Sequence, residues 1–153
     1  MGNFSFNIKT SIDLFKVFKE DYSDFKSNDT DSRKAIHCAL TAWHLVEWIR
    51  IEFHSQKGLI DFQNELKQKC PSLQIMQDIS NGTKHTIITK YPSKIKNTST
   101  QDGSFSNAFS SAFDISYLAI ELNDGSMVSF KDEIENVIKF WTNYLKNDLL
   151  LKF

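Results

Sequence analysis

The chain has 153 residues, a formal net charge of -1, 41% hydrophobic residues and thirteen phenylalanines. This size and composition indicate one folded domain with a sizeable core and argue against a disordered chain. The near-zero charge excludes a global electrostatic footprint for nucleic acid or membranes. Locally, residues 79–101 contain lysines and no acidic residue, whereas residues 20–31 are rich in aspartate and glutamate.

The expected location is the cytoplasm, in a bacterial cell. Residues 1–11 lack the basic leader and the apolar run of a signal peptide. No segment approaches the roughly 18–20 apolar residues of a membrane span. The chain has two cysteines, Cys38 and Cys70. So few cysteines are typical of reduced thiols rather than of a disulfide framework.

The first predicted helix runs from about Ser11 to Lys26. Its apolar residues recur at intervals of three and four, as they do on the buried face of an amphipathic helix. Thr10 and Asp13 have the spacing of a capping box, in which each side chain bonds to the backbone N–H of the other residue. We therefore expect this helix to begin directly after Thr10.

The central predicted helix, Ser32 to Phe53, contains no Gly or Pro and is rich in Ala, Leu and large apolar side chains. Asp31 or Ser32 is the expected N-cap. Apolar side chains occupy most of its circumference, so we expect burial nearly all round. One polar stripe interrupts them, and its members are Arg33, His37, Thr41, His44 and Glu47.

Two shorter helices follow in the prediction. The third runs from Leu59 to about Lys69 and carries apolar residues on one face. Pro71 ends it and suits the first turn of the fourth helix, which starts at Pro71 or Ser72. Gly82 either terminates the fourth helix or costs about 1 kcal/mol if the helix continues through it.

The second half of the chain predicts strands and one more helix. The β-branched run Thr86–Thr89 predicts a strand. Residues 92–112 predict a mobile loop. Because so long a loop is uncommon in a compact domain, either the loop is functional or a further helix or strand lies near residues 105–113. Asn123-Asp124-Gly125 predicts a β-hairpin. The last helix is expected from about Lys131 to Leu149, with Ser129 and Asp132 as a second capping box.

Together these elements predict an α+β fold, a bundle of about five helices with a small antiparallel sheet whose hairpin precedes the last helix. We expect residues 1–153 to form a single domain. Its helical part is residues 10–85, its strand, loop and hairpin part is residues 86–130, and its C-terminal helix is residues 131–149.

The polar stripe of the central helix is the first candidate site. His44 and Glu47 stand three residues apart, the spacing at which bundle helices present a histidine and a carboxylate to one metal. If the fourth helix packs against this face, Asp78 and His85 complete a shell of imidazole and carboxylate ligands. The alternative is a partly solvated face in which His44 is hydrogen-bonded to a carboxylate.

The segment from Asp78 to His85 is the second candidate, because Asp, Asn, Lys and His gather there at a helix end. Lys84 and His85 are suited to holding an anion, and His85 to acting as a general acid or base. The alternative is helix termination, with both residues placed favourably near the negative end of the helix.

The cysteines and the basic segment after the fourth helix are weaker candidates. Cys38 is expected to be a small buried hydrophobe, and Cys70 a thiol at a helix start; neither has a base that the sequence can name. Lysines in an acid-free stretch with one tyrosine suit contacts to RNA phosphates, or else form a solvated loop. The candidate anion- or RNA-binding residues are Lys84, Lys90, Lys94 and Lys96.

A long helix containing Trp and His, followed by CPSLQIMQDI and then NGTKH, is similar to the pattern of a family of small bacterial proteins with no assigned activity. Over roughly residues 1–85 the helical core, with a histidine at a helix start, also resembles the HEPN superfamily. That resemblance implies a metal-independent ribonuclease that dimerises to pair an Arg-(four to six residues)-His motif. Here Arg33–His37 and Arg50–His54 each enclose three residues.

The expected function is that of a small protein, non-enzymatic or without an activity that the sequence can assign, that acts through oligomerisation or partner binding, with a homodimer as one form and no cofactor. The alternatives are a HEPN-like ribonuclease and a metal-binding helical bundle. In the ribonuclease, a histidine takes the proton of a ribose 2′-hydroxyl and a lysine stabilises the charge on phosphorus. Its candidate residues are His37, His44, Lys84 and His85.

Overall fold

A computed structural model describes residues 4–87, 89, 92–102 and 116–153. It has five α-helices and a small three-stranded antiparallel sheet, which confirms the predicted α+β fold. The helices are α1 (Ser11–Ser27), α2 (Ser32–Phe53), α3 (Leu59–Lys69), α4 (Ser72–His85) and α5 (Phe130–Asn143), and the strands are β1 (Ile95–Gln101), β2 (Tyr117–Leu122) and β3 (Met127–Ser129).

The helix starts follow the predicted caps at α1 and α2. The Thr10 Oγ1 accepts from the Asp13 N–H at 3.1 Å, and the Asp13 carboxylate accepts from the Thr10 N–H at 3.1 Å, so the capping box is confirmed. The Asp31 carboxylate accepts from the N–H groups of Arg33 at 2.9 Å and Lys34 at 3.2 Å. These bonds satisfy amides that a helix start leaves without partners.

Helix α2 forms the centre of the hydrophobic core, where it packs against α1 and α4. Ala39, Leu45 and Ile49 are fully buried, and the Trp141 indole of α5 donates to the Ala42 carbonyl at 3.0 Å. The expectation of burial nearly all round is wrong at Ile51, which is 58% exposed. Its side of α2 borders an open hollow near the start of α1.

Helix α4 continues through Gly82 to His85 and stops where Thr86 takes a φ of 57°. The predicted strand at 86–89 is wrong for its described residues, since positions 86, 87 and 89 lie outside any strand. β-branched residues favour a strand only when neighbouring strands pack beside them, and Ile87 is 73% exposed.

Strand β1 lies inside the segment that the sequence predicts to be a mobile loop, so that prediction is wrong for residues 95–101. β1 pairs antiparallel with β2, and β2 with β3, in the order β1-β2-β3. The predicted hairpin is confirmed, with Gly125 at a φ of 85° in its turn, a conformation that glycine adopts without strain. The element expected near residues 105–113 lies outside the described residues.

Helix α5 begins without the predicted second capping box. Ser129 makes no side-chain cap bond; it is also the last residue of β3, paired opposite Ala119. The helix ends at Asn143 rather than near Leu149, and a π-helical turn from Tyr144 to Asp148 follows. No helix in the described ranges has the length and apolar character needed to cross a membrane.

Candidate functional site

Asp78 is buried, 3% exposed, and connects α4 to the start of β1. One carboxylate oxygen accepts from the backbone N–H groups of Lys94 at 2.7 Å and Ile95 at 3.2 Å, and the other accepts from the Gln74 amide at 2.8 Å. Burial raises the pKa of Asp78, and these hydrogen bonds oppose that rise. The carboxylate therefore holds β1 against the helices.

A partly buried polar network extends from Asp78 to helix α3. The Lys67 ammonium donates to the side-chain oxygens of Gln74 at 3.0 Å and Gln77 at 2.6 Å, and it lies 5.6 Å from the centre of the Trp43 ring. Burial lowers the pKa of Lys67, while the charge of Asp78 opposes this. The network links α3 to α4, and Asp78 extends it to β1. Its hydrogen-bonded side chains lie within residues 67–78, but sequence reasoning missed it because no motif shows that the side chains of α3 and α4 face each other.

His44, Glu47 and Lys84 form the part of the predicted site that α2 and α4 bring into proximity. Desolvation of the imidazole lowers the pKa of His44, the Glu47 charge opposes this shift and the Lys84 charge adds to it. All three side chains are exposed overall. They therefore occupy an outer surface rather than an enclosed cleft.

The predicted metal ligands do not form one cluster. Within residues 4–87, 89, 92–102 and 116–153, no three His, Cys, Asp or Glu side chains are grouped so that they could hold a metal ion. Asp78 is engaged with β1, whereas His85 is exposed in the last turn of α4. The sequence placed His44, Glu47, Asp78 and His85 together by assuming that both polar faces meet.

His37 and His44 lie about two helical turns apart on α2, and their charged neighbours come from different helices. His37 is close enough to Asp21 of α1 to lower the pKa of that carboxyl group, although burial raises it more. Asp21 also accepts from the Thr41 hydroxyl at 3.0 Å. His44 instead interacts with Lys84 of α4. The single stripe of the sequence is therefore shared between two neighbouring helices.

The predicted anion-binding lysines have separate surroundings. The Lys96 ammonium pairs with Glu121 of β2 at 2.7 Å, and Lys94 is exposed beside the start of β1. Lys84 lies at the C-terminal end of α4, where its charge offsets the helix dipole. Lys90 lies outside the described residues.

Both cysteines are buried free thiols. Burial raises the pKa of Cys38 to about 12, and burial also raises the pKa of Cys70. A nucleophilic cysteine requires the opposite shift, because the thiolate is the reactive form. These shifts favour the expectation that Cys38 is a small buried hydrophobe, and they oppose a stabilised thiolate at Cys70.

His54 and Tyr144 form a pair that sequence reasoning did not identify. The His54 Nε2 lies 3.1 Å from the Tyr144 hydroxyl, across 90 residues of sequence. Burial lowers the pKa of His54 and raises the pKa of Tyr144 to about 12. The pair joins the end of α2 to the π-helical turn, and its only sequence signal is a histidine directly after a helix end.

Two adjoining cavities lie between β1 and the helices α2 and α4. One, of about 340 Å³, has β1 and β2 on its sheet side, and the other, of about 380 Å³, lies between β1 and α4. Ile36, Ile79 and Thr98 line both cavities. We call this continuous hollow the β1 groove.

The β1 groove follows from the inward-facing side chains of β1. Thr98 is paired with Ile120 and Thr100 with Leu118, so each threonine faces the same side of the sheet as its apolar partner. Ile120 is 2% exposed, whereas both threonines are exposed. The threonine side chains are shorter than leucine and leave space between β1 and the helices. The isoleucines Ile36 and Ile79 line this space on the helix side.

The titratable residues that line the β1 groove, within the described ranges, are Asp78 and Lys96. Both Asp78 oxygens already accept hydrogen bonds, and Lys96 is paired with Glu121. The groove therefore presents apolar and hydroxyl groups without a free acid or base. Comparison with family models, with curated proteins and with solved structures finds no match to this chain.

Proposed function

We propose that this protein is non-enzymatic and acts by binding, with the β1 groove as the site that receives an uncharged, largely apolar group of its partner. The observation that carries the proposal is the lining of the groove by Ile36, Ile79 and the Thr98 and Thr100 side chains. A cavity of several hundred Å³ with an apolar floor and a few hydroxyl groups is typical of binding sites for small apolar ligands.

Catalysis is less well supported because the described residues that line the groove offer no free group that can transfer protons. General acid–base catalysis needs a titratable side chain within hydrogen-bonding reach of the substrate. Asp78 and Lys96 are occupied by Gln74, by backbone amides and by Glu121. The candidate histidines His37 and His44 do not line the groove.

The binding proposal can be tested with N-phenyl-1-naphthylamine, a neutral dye that fluoresces in apolar surroundings. We expect saturable binding to the wild-type protein and roughly tenfold weaker binding to Thr98→Phe, in which the new ring fills the groove. Gln101→Phe is the matched control, because Gln101 is also exposed on β1 but does not line either cavity. Equal dye binding by both variants, or none by the wild type, would contradict the proposal.

Metal-independent RNA cleavage is the second candidate, and the proximity of Lys84 to His44 favours it. A histidine and a lysine on one surface can supply proton transfer and charge stabilisation to a phosphodiester. The test is cleavage of single-stranded RNA in EDTA by the wild type and by His44→Ala, with helical content followed by circular dichroism, and the folded variant is expected to lose cleavage. An uncleaved substrate with the wild-type protein would rule this candidate out.

A further inference from the structure

Strand β1 is hydrogen-bonded to another strand on one side only, because the sheet of the described residues has the order β1-β2-β3. A free strand edge presents a row of backbone donors and acceptors that can pair with another chain. The opposite edge, β3, has three residues, whereas β1 has seven. Seven residues span about 20 Å, which is long enough for stable strand pairing.

The β1 edge has few of the features that keep strands from pairing. Natural edge strands are commonly protected by proline, by charged side chains, by bulges or by a covering element. An irregularity lies between Ile95 and Asn97, and Lys96 is the one charged residue of the strand. Residues 97–101 pair regularly with β2 and contain no charge and no proline.

The sequence of β1, IKNTSTQ, is compatible with antiparallel pairing to a second copy of itself. With a two-fold axis at Thr98, that residue meets its own copy and Lys96 meets Thr100. Ile95 lies opposite Gln101 at the end of the pair, where its N–H already donates to Asp78 and its C=O accepts from the Ser93 hydroxyl. No like charges are then opposite each other, and threonine pairs are favourable neighbours across strands. The two lysines lie toward opposite ends of the pair.

We propose that two copies of this chain associate through their β1 edges, in an antiparallel register centred on Thr98, to form a continuous six-stranded sheet. Such an interface is isologous, with the same surface contributed by both copies, as in most homodimers. The second β1 strand extends the sheet beside the β1 groove and narrows its opening along that edge. The inference goes beyond the proposed function, because pairing of the two edges does not require a bound ligand.

The test measures mass by light scattering after size-exclusion chromatography of the full chain. The wild type is expected to have twice the 17.7 kDa of one chain. Thr98→Lys and Thr98→Glu each place like charges directly opposite at the centre of the interface, so each alone is expected at the monomer mass. Mixing the two variants restores opposite charges, and the dimer mass is expected to return.

Gln101→Lys is the control, because it adds the same charge to the same strand but places it opposite the uncharged Ile95. This variant is expected to remain dimeric. The helical signal in circular dichroism shows whether each variant retains its fold. Return of the dimer mass in the mixture of Thr98→Lys and Thr98→Glu is independent evidence that both variants are folded. A wild-type protein at the monomer mass, a Thr98→Lys dimer, or a mixture that stays monomeric would each overturn the inference. The dimer is judged from the mass of the wild-type protein, whereas the binding proposal is judged from saturable dye binding by the wild type, so failure of the one is distinguishable from failure of the other.

Discussion

At the scale of single residues, Asp78 has a role that its sequence context did not suggest. It stands in a polar cluster after an apolar helix, a pattern that suits a ligand site, but its carboxylate holds the backbone of Lys94 and Ile95. A buried carboxylate is retained when hydrogen bonds compensate its desolvation. Asp78 is therefore a structural anchor for β1, a strand that borders the β1 groove.

Replacing Asp78 with alanine should destabilise the protein by about 2–3 kcal/mol, because it leaves buried backbone donors and the Gln74 amide without their acceptor. Urea unfolding at neutral pH measures the free energy of unfolding. The exposed Asp24 provides a control, since Asp24→Ala should change that free energy by less than about 0.5 kcal/mol. Equal effects of the two substitutions would contradict the anchoring role.

The His54–Tyr144 pair predicts a pH dependence of stability. Burial lowers the pKa of His54 from 6.5 in the folded state, so the unfolded chain binds more protons between that lowered value and 6.5. Stability should therefore fall as the pH drops below about 6.5. The charges facing the imidazole are those of Lys57, Glu65 and Lys69.

His54→Gln should reduce this loss of stability, because glutamine does not titrate and can still bond to the Tyr144 hydroxyl. The measurement is the free energy of unfolding in urea at about pH 7.5 and about pH 5.5 for both proteins. Part of the decrease in the free energy of unfolding between the two pH values should remain, since the pKa of His44 is also lowered. An unchanged slope in His54→Gln would show that His54 does not contribute.

At the scale of elements, the two predicted capping boxes had different outcomes. Thr10 lies outside the strands of the described residues, and its hydroxyl accepts from the Asp13 N–H. Ser129 is the last residue of β3, opposite Ala119, and its side chain makes no cap bond. Both residues have the extended backbone that an N-cap requires, so the sequence spacing alone does not decide whether the cap forms.

Alanine substitution at Thr10 and at Ser129 should change the free energy of unfolding by different amounts. Thr10→Ala is expected to lower the free energy of unfolding by about 1 kcal/mol through loss of the cap. Ser129→Ala should lower it by less than about 0.5 kcal/mol, as is usual where no such interaction is lost. Thermal or urea unfolding of both variants measures the difference, and a larger effect at Ser129 would refute this interpretation.

The helices could be predicted because their signals are local. The apolar period of α2 and α3, the Asp31 cap and the break at Pro71 operate within a few residues. Strand β1 could not be predicted in this way, because its polar residues have no apolar alternation. It becomes a strand through pairing with β2 and through the Asp78 hydrogen bonds, which involve residues far away in sequence.

At the scale of the whole molecule, the single domain remains a prediction that hydrogen exchange can test. The Trp141–Ala42 hydrogen bond joins α5 to α2, and Phe130 packs against Phe25 with ring centres 5.1 Å apart. Because these contacts link the two ends of the chain, the slowest amides of α2 and β2 should exchange with the same free energy of opening. Clearly different free energies would indicate two cooperative units rather than one.

The sequence by itself determined the α+β class, four of the helix starts and the β-hairpin, because periodicity, caps and turn residues act over short distances. Only the tertiary structure decided where the polar groups lie. It gave His37 and His44 charged neighbours from different helices, engaged Asp78 with β1, and left a groove lined by Thr98 and Thr100. The physical reason is that a site depends on which faces of distant elements meet, and packing of the whole core selects those faces.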